Sequence, residues 1–290
     1  MGMARELYDN YGEVRRMYEQ AADTLGFNLA KVSFEGPDEQ LAQTRITQPA
    51  IFVHSVAAWR LLQARGFVPS IAAGHSLGEY SALVAAGFVD FVQALELVGL
   101  RGELMQEAGE KAPGAMAAVI GMKDGEITDL CAADKGIVVP ANFNADRQVV
   151  ISGSRDAVLR VMEAAGAAGA RMVKRLNVSG AFHSPLMDYA AGPMRDKLAG
   201  ANISAGEIQI VPNVTAKPES DPDRVRGLLV DQITSPVRWT ESMRAIVALG
   251  VTSMVEVGPG NVLCGLMRRI DRSVETATAG KLEELERFGV

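Results

Sequence analysis

The chain has 290 residues, of which 48% are hydrophobic and 22% charged, and it carries a net charge of −6. That length and composition suit one large domain, or a large domain with a small one, around a core that needs neither metal nor disulfide. With lysine and arginine scattered along it, the chain speaks against a nucleic-acid partner, because phosphate binding needs concentrated positive charge.

Residues 3–25 read as a helix, with Leu7, Tyr11, Val14, Tyr18 and Ala21 on one face. Their polar, mixed-charge start is not a signal peptide, and no apolar run in the chain is long enough to span a bilayer. A cytoplasmic protein is expected, with monomer as the default state. Residues 48–64 read as a more buried helix, with Pro49 in its first turn. VPSIAAG is a short apolar strand. Residues 76–86 and 90–108 are helices, the second opened by Asp90 as N-cap.

The middle has another rhythm. MAAVIG reads as a strand, ITDLCAA as a helix, IVVPANFN and QVVISG as two strands, DAVLRVMEAAGAAG as a helix and ARMVKRLNV as a last strand. This β-α-β-β-α-β order is the ferredoxin-like one and covers residues 114–178. Beyond it, the strands IQIVPNV and SMVEVG alternate with helices, as in a parallel α/β sheet. The expected fold is therefore α/β, with residues 1–113 and 179–290 as a large core and 114–178 inserted as a small subdomain. Cys131 and Cys264 lie far apart and outside any CxxC pattern, so no zinc site or disulfide is read from them.

GHSLGEYSAL, from Gly74 to Leu83, places G-x-S-x-G between the strand VPSIAAG and a helix, the context of a nucleophile elbow. The turn is so tight that the neighbours of Ser76 should have little side chain, hence Gly74 and Gly78. The helix that follows aims backbone N–H groups at a developing oxyanion, with Leu77 N–H as the expected donor. The plainer reading of Ser76 is a helix N-cap.

A serine nucleophile needs a base, usually histidine. Three are available. His54 lies in an apolar helix and reads as a core residue. His75 precedes Ser76 on the turn, which aims its side chain away. That leaves His183, after a strand and before a helix start marked by Ser184 and Pro185, where a helix terminus favours neutral imidazole. The order Ser then His is that of α/β-hydrolases, although more than a hundred residues follow this histidine.

On the helix 90–108, the stripe Ala94, Leu97, Val98, Arg101, Leu104, Met105 and Ala108 is apolar except for Arg101. A guanidinium on a buried face needs an anion or strong acceptors. Its partner is either structural, for example Glu79, or a ligand carboxylate taken bidentately. The residues alone leave these two open.

Together these segments resemble the malonyl-CoA:acyl carrier protein transacylase family of fatty acid synthesis. GHSLGEYSALVAAG, LVGLRGELMQEA, GAMAAVIG, ANFNADRQVVISG, NVSGAFHSPLM, SPVRWTESM and VEVGPGNVL match it in order and spacing, over nearly the whole chain. The resemblance implies an α/β-hydrolase-like core with a ferredoxin-like insert. It implies Ser76 as the acylated residue and His183 as base. The base is oriented by a backbone carbonyl that falls on Gln232, and the malonyl carboxylate is held by Arg101. Phe182 accompanies malonyl preference. Met105, Asn142 and Asn144 are expected in the substrate cleft, the two asparagines having loop hydrogen bonding as their other reading. Malonyl-CoA and acyl carrier protein are the implied partners, with no metal or other cofactor. Arg171, Lys174 and Arg175 are candidates for a basic rim facing an acidic carrier, or are solvated strand-end charge.

Members of that family begin with a strand and a motif resembling FPGQGSQ, shortly before the segment that aligns with MGMARELYDN. This sequence starts after it. The expectation is a large sheet without one of its central strands and a site without its second oxyanion N–H, worth about 2.7–4 kcal/mol in a comparable site. A start placed too late accounts for this more simply than an evolved loss. A smaller departure is Asn261, where many relatives have lysine. The expected reaction is a ping-pong malonyl transfer. The competing readings are a serine hydrolase or thioesterase, and a carrier-protein-binding module impaired in catalysis.

Overall fold

A computed structural model describes residues 1–288. Among these residues, eight strands form three sheets. In chain order they are β1 (Ile71–Ala72), β2 (Gly114–Ile120), β3 (Val138–Ala145), β4 (Gln148–Ser154), β5 (Met172–Arg175), β6 (Gln209–Ile210), β7 (Ser253–Val257) and β8 (Glu275–Ala279). β1 pairs in parallel with β6, and β7 in parallel with β8. The four middle strands make an antiparallel sheet in the order β3-β4-β2-β5. The molecule is thus mixed α/β.

The β-α-β-β-α-β order of the middle segment is present, with helices Asp124–Ala133 and Arg155–Ala167. Its own core gathers Ala117, Val119, Ile127, Val149, Ile151 and Val158 from the sheet and both helices. The unit is tied to the rest at Asn142, which bridges to Val237, with Val237 N–H donating to Ala141 O.

The larger core is built around two long helices, Thr44–Gln63 and Phe91–Lys111, which pack along each other. The second starts where expected, because the Asp90 carboxylate accepts the N–H of Gln93. The first begins earlier than expected, at Thr44, so Pro49 lies inside it and forgoes one ladder bond to the carbonyl of Arg45. The helix expected over 3–25 is two, Arg5–Asn10 and Gly12–Leu25, because Tyr11 takes an extended backbone (φ −122°, ψ 117°). Of VPSIAAG and IQIVPNV, only two residues each are paired as strand.

β1 and β7 are not bonded to each other, and each pairs on one side alone among the described residues. Between them lies a cavity of about 360 Å³, bordered by Ile71, Ala72, Ala85, Val255, Val257 and Trp59. Among the described residues, no helix is long and apolar enough to cross a membrane.

Candidate active site

Ser76 lies between β1 and the helix Gly78–Ala85, in left-handed backbone conformation (φ 52°). A serine there is strained, and such strain is characteristic of the elbow. The two flanking glycines differ. A Cβ on Gly74 would come within 1.9 Å of the Gly78 carbonyl oxygen, so the turn closes only over a bare Cα. A Cβ on Gly78 would meet nothing within 4 Å, which corrects the expectation that both positions need glycine.

His183 arrives from the segment after β5. Ser179 and Gly180 of that segment press against the helix Phe91–Lys111 at Gly109, whose Cβ would lie 2.7 Å from the Ser179 carbonyl. Ser184 Oγ accepts from Leu186 N–H and starts the short helix Pro185–Met187. The result places His183 Nε2 at 2.8 Å from Ser76 Oγ, across 107 residues of sequence. On the other side of the ring, Nδ1–H donates to the Gln232 backbone carbonyl at 2.9 Å. That bond fixes the tautomer and leaves Nε2 as acceptor. Burial, and secondarily the charge of Arg101, pull the His183 pKa down to about 3. The ring is therefore neutral at ordinary pH.

Arg101 is 1% exposed. Its Nη1 donates to Gln48 Oε1 at 2.6 Å, and its Nη2 to Gln232 Oε1 at 2.9 Å and to Ser76 Oγ at 3.1 Å. Its Nε has no partner among the described residues. No ion pair joins it to Glu79. The side chain of Gln232 stands between them, donating from Nε2 to Glu79 Oε2 at 2.7 Å. The suggested direct Arg101–Glu79 contact is thus replaced by a neutral bridge, and no carboxylate among the described residues contacts the guanidinium. Glu79 is buried, and desolvation lifts its pKa to about 7.

The remaining expected residues fall at different distances from this centre. Met105 is buried, and its sulfur takes the Gln48 amide at 3.5 Å, so it bears on Arg101 through Gln48. Phe182 packs half-buried beside the histidine. Asn144 Oδ1 pairs with His75 Nε2 at 2.8 Å, holding that ring away from Ser76, and Asn142 serves in the β3–Val237 bridge. His54 is a buried histidine bonded to the Gly280 carbonyl at 2.7 Å. Arg171, Lys174 and Arg175 are exposed, and none forms an ion pair among the described residues.

Three participants were not anticipated. Asn213 Oδ1 accepts the Ser76 N–H at 2.7 Å, while its Nδ2 donates to Gly74 O at 2.7 Å, clasping both arms of the turn. Gln48 and the side chain of Gln232 hold Arg101. Asn213 was detectable in principle as a polar residue ending an apolar strand, where open α/β sheets carry ligands. Gln48 offered only a polar position in an apolar helix. The N–H of Leu77, at the N-cap of the helix Gly78–Ala85, donates to nothing among the described residues. No group of three or more His, Cys, Asp or Glu able to hold a metal occurs among them.

A hydroxyl, a neutral imidazole oriented by a carbonyl and a buried cation within 3.1 Å of that hydroxyl suit acyl transfer through an ester. Residues 1–284 match the acyl transferase domain family, and the chain belongs to it. Within that family its similarity is to malonyl transferases. It is 44% identical over 287 residues to the malonyl CoA-acyl carrier protein transacylase of Salmonella typhimurium, covering 98% of this chain and 92% of that one. An acyl carrier protein S-malonyltransferase structure from Vibrio cholerae superposes with a TM-score of 0.95 at 42% identity, covering 99% of this chain and 95% of that one. A solved complex of a type II PKS acyl-carrier protein with its malonyl-transacylase matches with a TM-score of 0.96 at 42% identity, over 99% and 94% of the two chains.

Proposed function

We propose that this acyltransferase moves a malonyl group from malonyl-CoA to the phosphopantetheine thiol of acyl carrier protein, through an ester on Ser76. The observation that carries the reading is the place of Arg101, a buried cation 3.1 Å from the nucleophile with no carboxylate among the described residues in contact. A malonyl group has its carboxylate one methylene away from the thioester carbonyl. A cation beside the attacked carbon therefore selects an acyl chain that ends in an anion, and arginine meets carboxylate in a bidentate pair.

His183 Nε2 takes the Ser76 proton as Oγ attacks the thioester carbonyl. The Leu77 N–H donates to the oxyanion. The C–S bond breaks, and CoA leaves as thiol with the proton that His183 held. The carrier thiol then gives its proton to His183, its sulfur attacks the ester carbonyl, and Ser76 regains its hydroxyl proton. Arg101 also donates to Oγ, which stabilises the negative charge that develops there as the proton leaves. The malonyl carboxylate offsets the Arg101 charge that lowers the basicity of His183, so the base strengthens when the right substrate is bound.

The architecture supporting this reading is an α/β-hydrolase-like core, residues 1–113 and 179–290, with residues 114–178 as a ferredoxin-like insert. The sheet order β3-β4-β2-β5 with two helices on one face favours that description. Arg171, Lys174 and Arg175, on and beside the edge strand β5, offer an unpaired basic rim to an acidic carrier.

The test is intact mass after mixing with malonyl-CoA, followed by carrier protein. Transfer yields one malonyl adduct at Ser76 that passes to the carrier. Malonate released without carrier indicates a hydrolase, and no adduct indicates a binding module. With Arg101→Ala, malonyl loading should fall by at least about 100-fold relative to acetyl loading, the loss of a charged hydrogen-bonded pair. Retained malonyl preference would remove Arg101 from the selection.

A further inference from the structure

We propose that Glu79 is a positioning residue for this transfer, acting through Asn213 and Gln232 to hold the nucleophile, the base and the carboxylate-binding arginine in one frame. The inference rests on the malonyl-transfer reading and assigns part of its geometry to a residue outside the reacting groups.

A single carboxylate oxygen, Glu79 Oε2, accepts two N–H groups. One is the backbone N–H of Asn213 at 3.0 Å, and the other is Gln232 Nε2 at 2.7 Å. All three residues are almost fully buried. Beyond Asn213 lies the turn itself, because its side chain bonds Ser76 N–H and Gly74 O. Beyond Gln232 lie three bonds. Its backbone oxygen accepts from His183 Nδ1, its Oε1 accepts from Arg101 Nη2, and its Nε2 donates to Ser76 O at 3.0 Å as well as to Glu79. One oxygen is thus two hydrogen bonds from Ser76, His183 and Arg101.

The chemistry of that oxygen decides how Gln232 faces. A primary amide can turn over, exchanging its oxygen and nitrogen. Oε2 of Glu79 receives two N–H groups, so it accepts in the ionised form and, with the proton on its other oxygen, in the acid form too; it takes the NH₂ side of Gln232 and leaves the amide oxygen toward the guanidinium. Without Glu79, that amide keeps only Ser76 O and Arg101 to favour this orientation, and the flipped form would point NH₂ at Arg101. Gln232 also keeps the two opposite charges apart. Direct pairing would have occupied the guanidinium with an internal carboxylate. The interposed amide leaves Arg101 for the carboxylate of the substrate. Burying a carboxylate is costly, and hydrogen bonds of this kind are what hold it there.

The test compares Glu79→Gln, Glu79→Ala and Glu79→Asp in the full chain. It measures kcat and KM for malonyl-CoA, the rate of Ser76 acylation in a single turnover and thermal stability. Glutamine presents one carbonyl oxygen where Oε2 stood and can accept both N–H groups. E79Q should therefore keep the acylation rate within about tenfold, whereas E79A should lose about 100-fold in kcat with KM changed less than about threefold, as expected of a small misplacement of reacting groups. Aspartate is one methylene short and should fall between them. A purely structural role would lower the melting temperature of E79A while leaving the rate per folded molecule near that of the parent, and that result overturns the proposal. E79Q as slow as E79A overturns it too, because charge and not hydrogen-bond placement would then be at issue. If E79A does not fold, E79D faster than E79Q has the same force. Failure of the parent protein to form a Ser76 adduct would instead overturn the malonyl-transfer reading, whatever the variants do.

Discussion

His183 is held by two hydrogen bonds and buried beside a cation, and those facts fix its protonation. Its pKa of about 3 lies below the ordinary 6.5, so Nε2 is free to accept a proton throughout the working range. The expected outcome in a nitrogen-15 titration of the imidazole is no protonation shift for His183 between about pH 5 and 8, where an unperturbed histidine changes charge. A midpoint near 6.5 would remove the basis for a neutral resting base. The same depression has a stability consequence. The unfolded chain binds the proton more readily, so this contribution to stability is full above pH 6.5 and is lost as pH falls toward about 3. His54 and His75 are also lowered by burial and act with the same sign.

At the scale of elements, the strand-turn-helix from Ile71 to Ala85 is where local sequence and the geometry of the candidate site meet. Gly74 and Gly78 look equivalent in the motif, but space distinguishes them. Gly74→Ala would drive a methyl group into the Gly78 backbone, and the turn must open to accept it. We expect it to lose Ser76 acylation and to fold poorly. Gly78→Ala meets open space in the first turn of a helix, where alanine is favoured over glycine by up to about 1 kcal/mol. It should keep acylation and melt no lower than the parent, as calorimetry and adduct mass would report. Comparable loss in both variants would show that the elbow is not limited by the contact at Gly74. Elements with strong local signals were legible in the sequence. Asp90 capped its helix, and the alternating strands of residues 114–178 appeared in order. β1 and β6 were read too long, because apolar runs such as VPSIAAG do not reveal how few of their residues find a partner strand. The break at Tyr11 and the early start at Thr44 were hidden for a similar reason, since tertiary packing sets such boundaries. At the site, Ser76 stood out between the glycines of a strand-to-helix turn, His183 as one of three histidines, and Arg101 as the one charge on an apolar stripe. Asn213, Gln48 and the Gln232 side chain did not, because neutral amides joined over more than fifty residues leave no spacing pattern.

Across the whole molecule, the two parallel pairs β1-β6 and β7-β8 face each other over the cavity with unbonded edges. In a parallel strand, alternate residues direct their N–H groups to opposite sides. Half of the amides in β7 therefore bond to β8, and the other half point into the cavity. Hydrogen exchange followed by NMR should show alternate residues of Ser253–Val257 exchanging much faster than their neighbours. Uniform protection along the strand would mean that the edge is covered.

Among the described residues, Gly74 and Gly78 border the cavity on one side and Val255 and Val257 on the other, and the helix Thr44–Gln63 packs beside it. A group filling that space would buttress the turn under Ser76 directly.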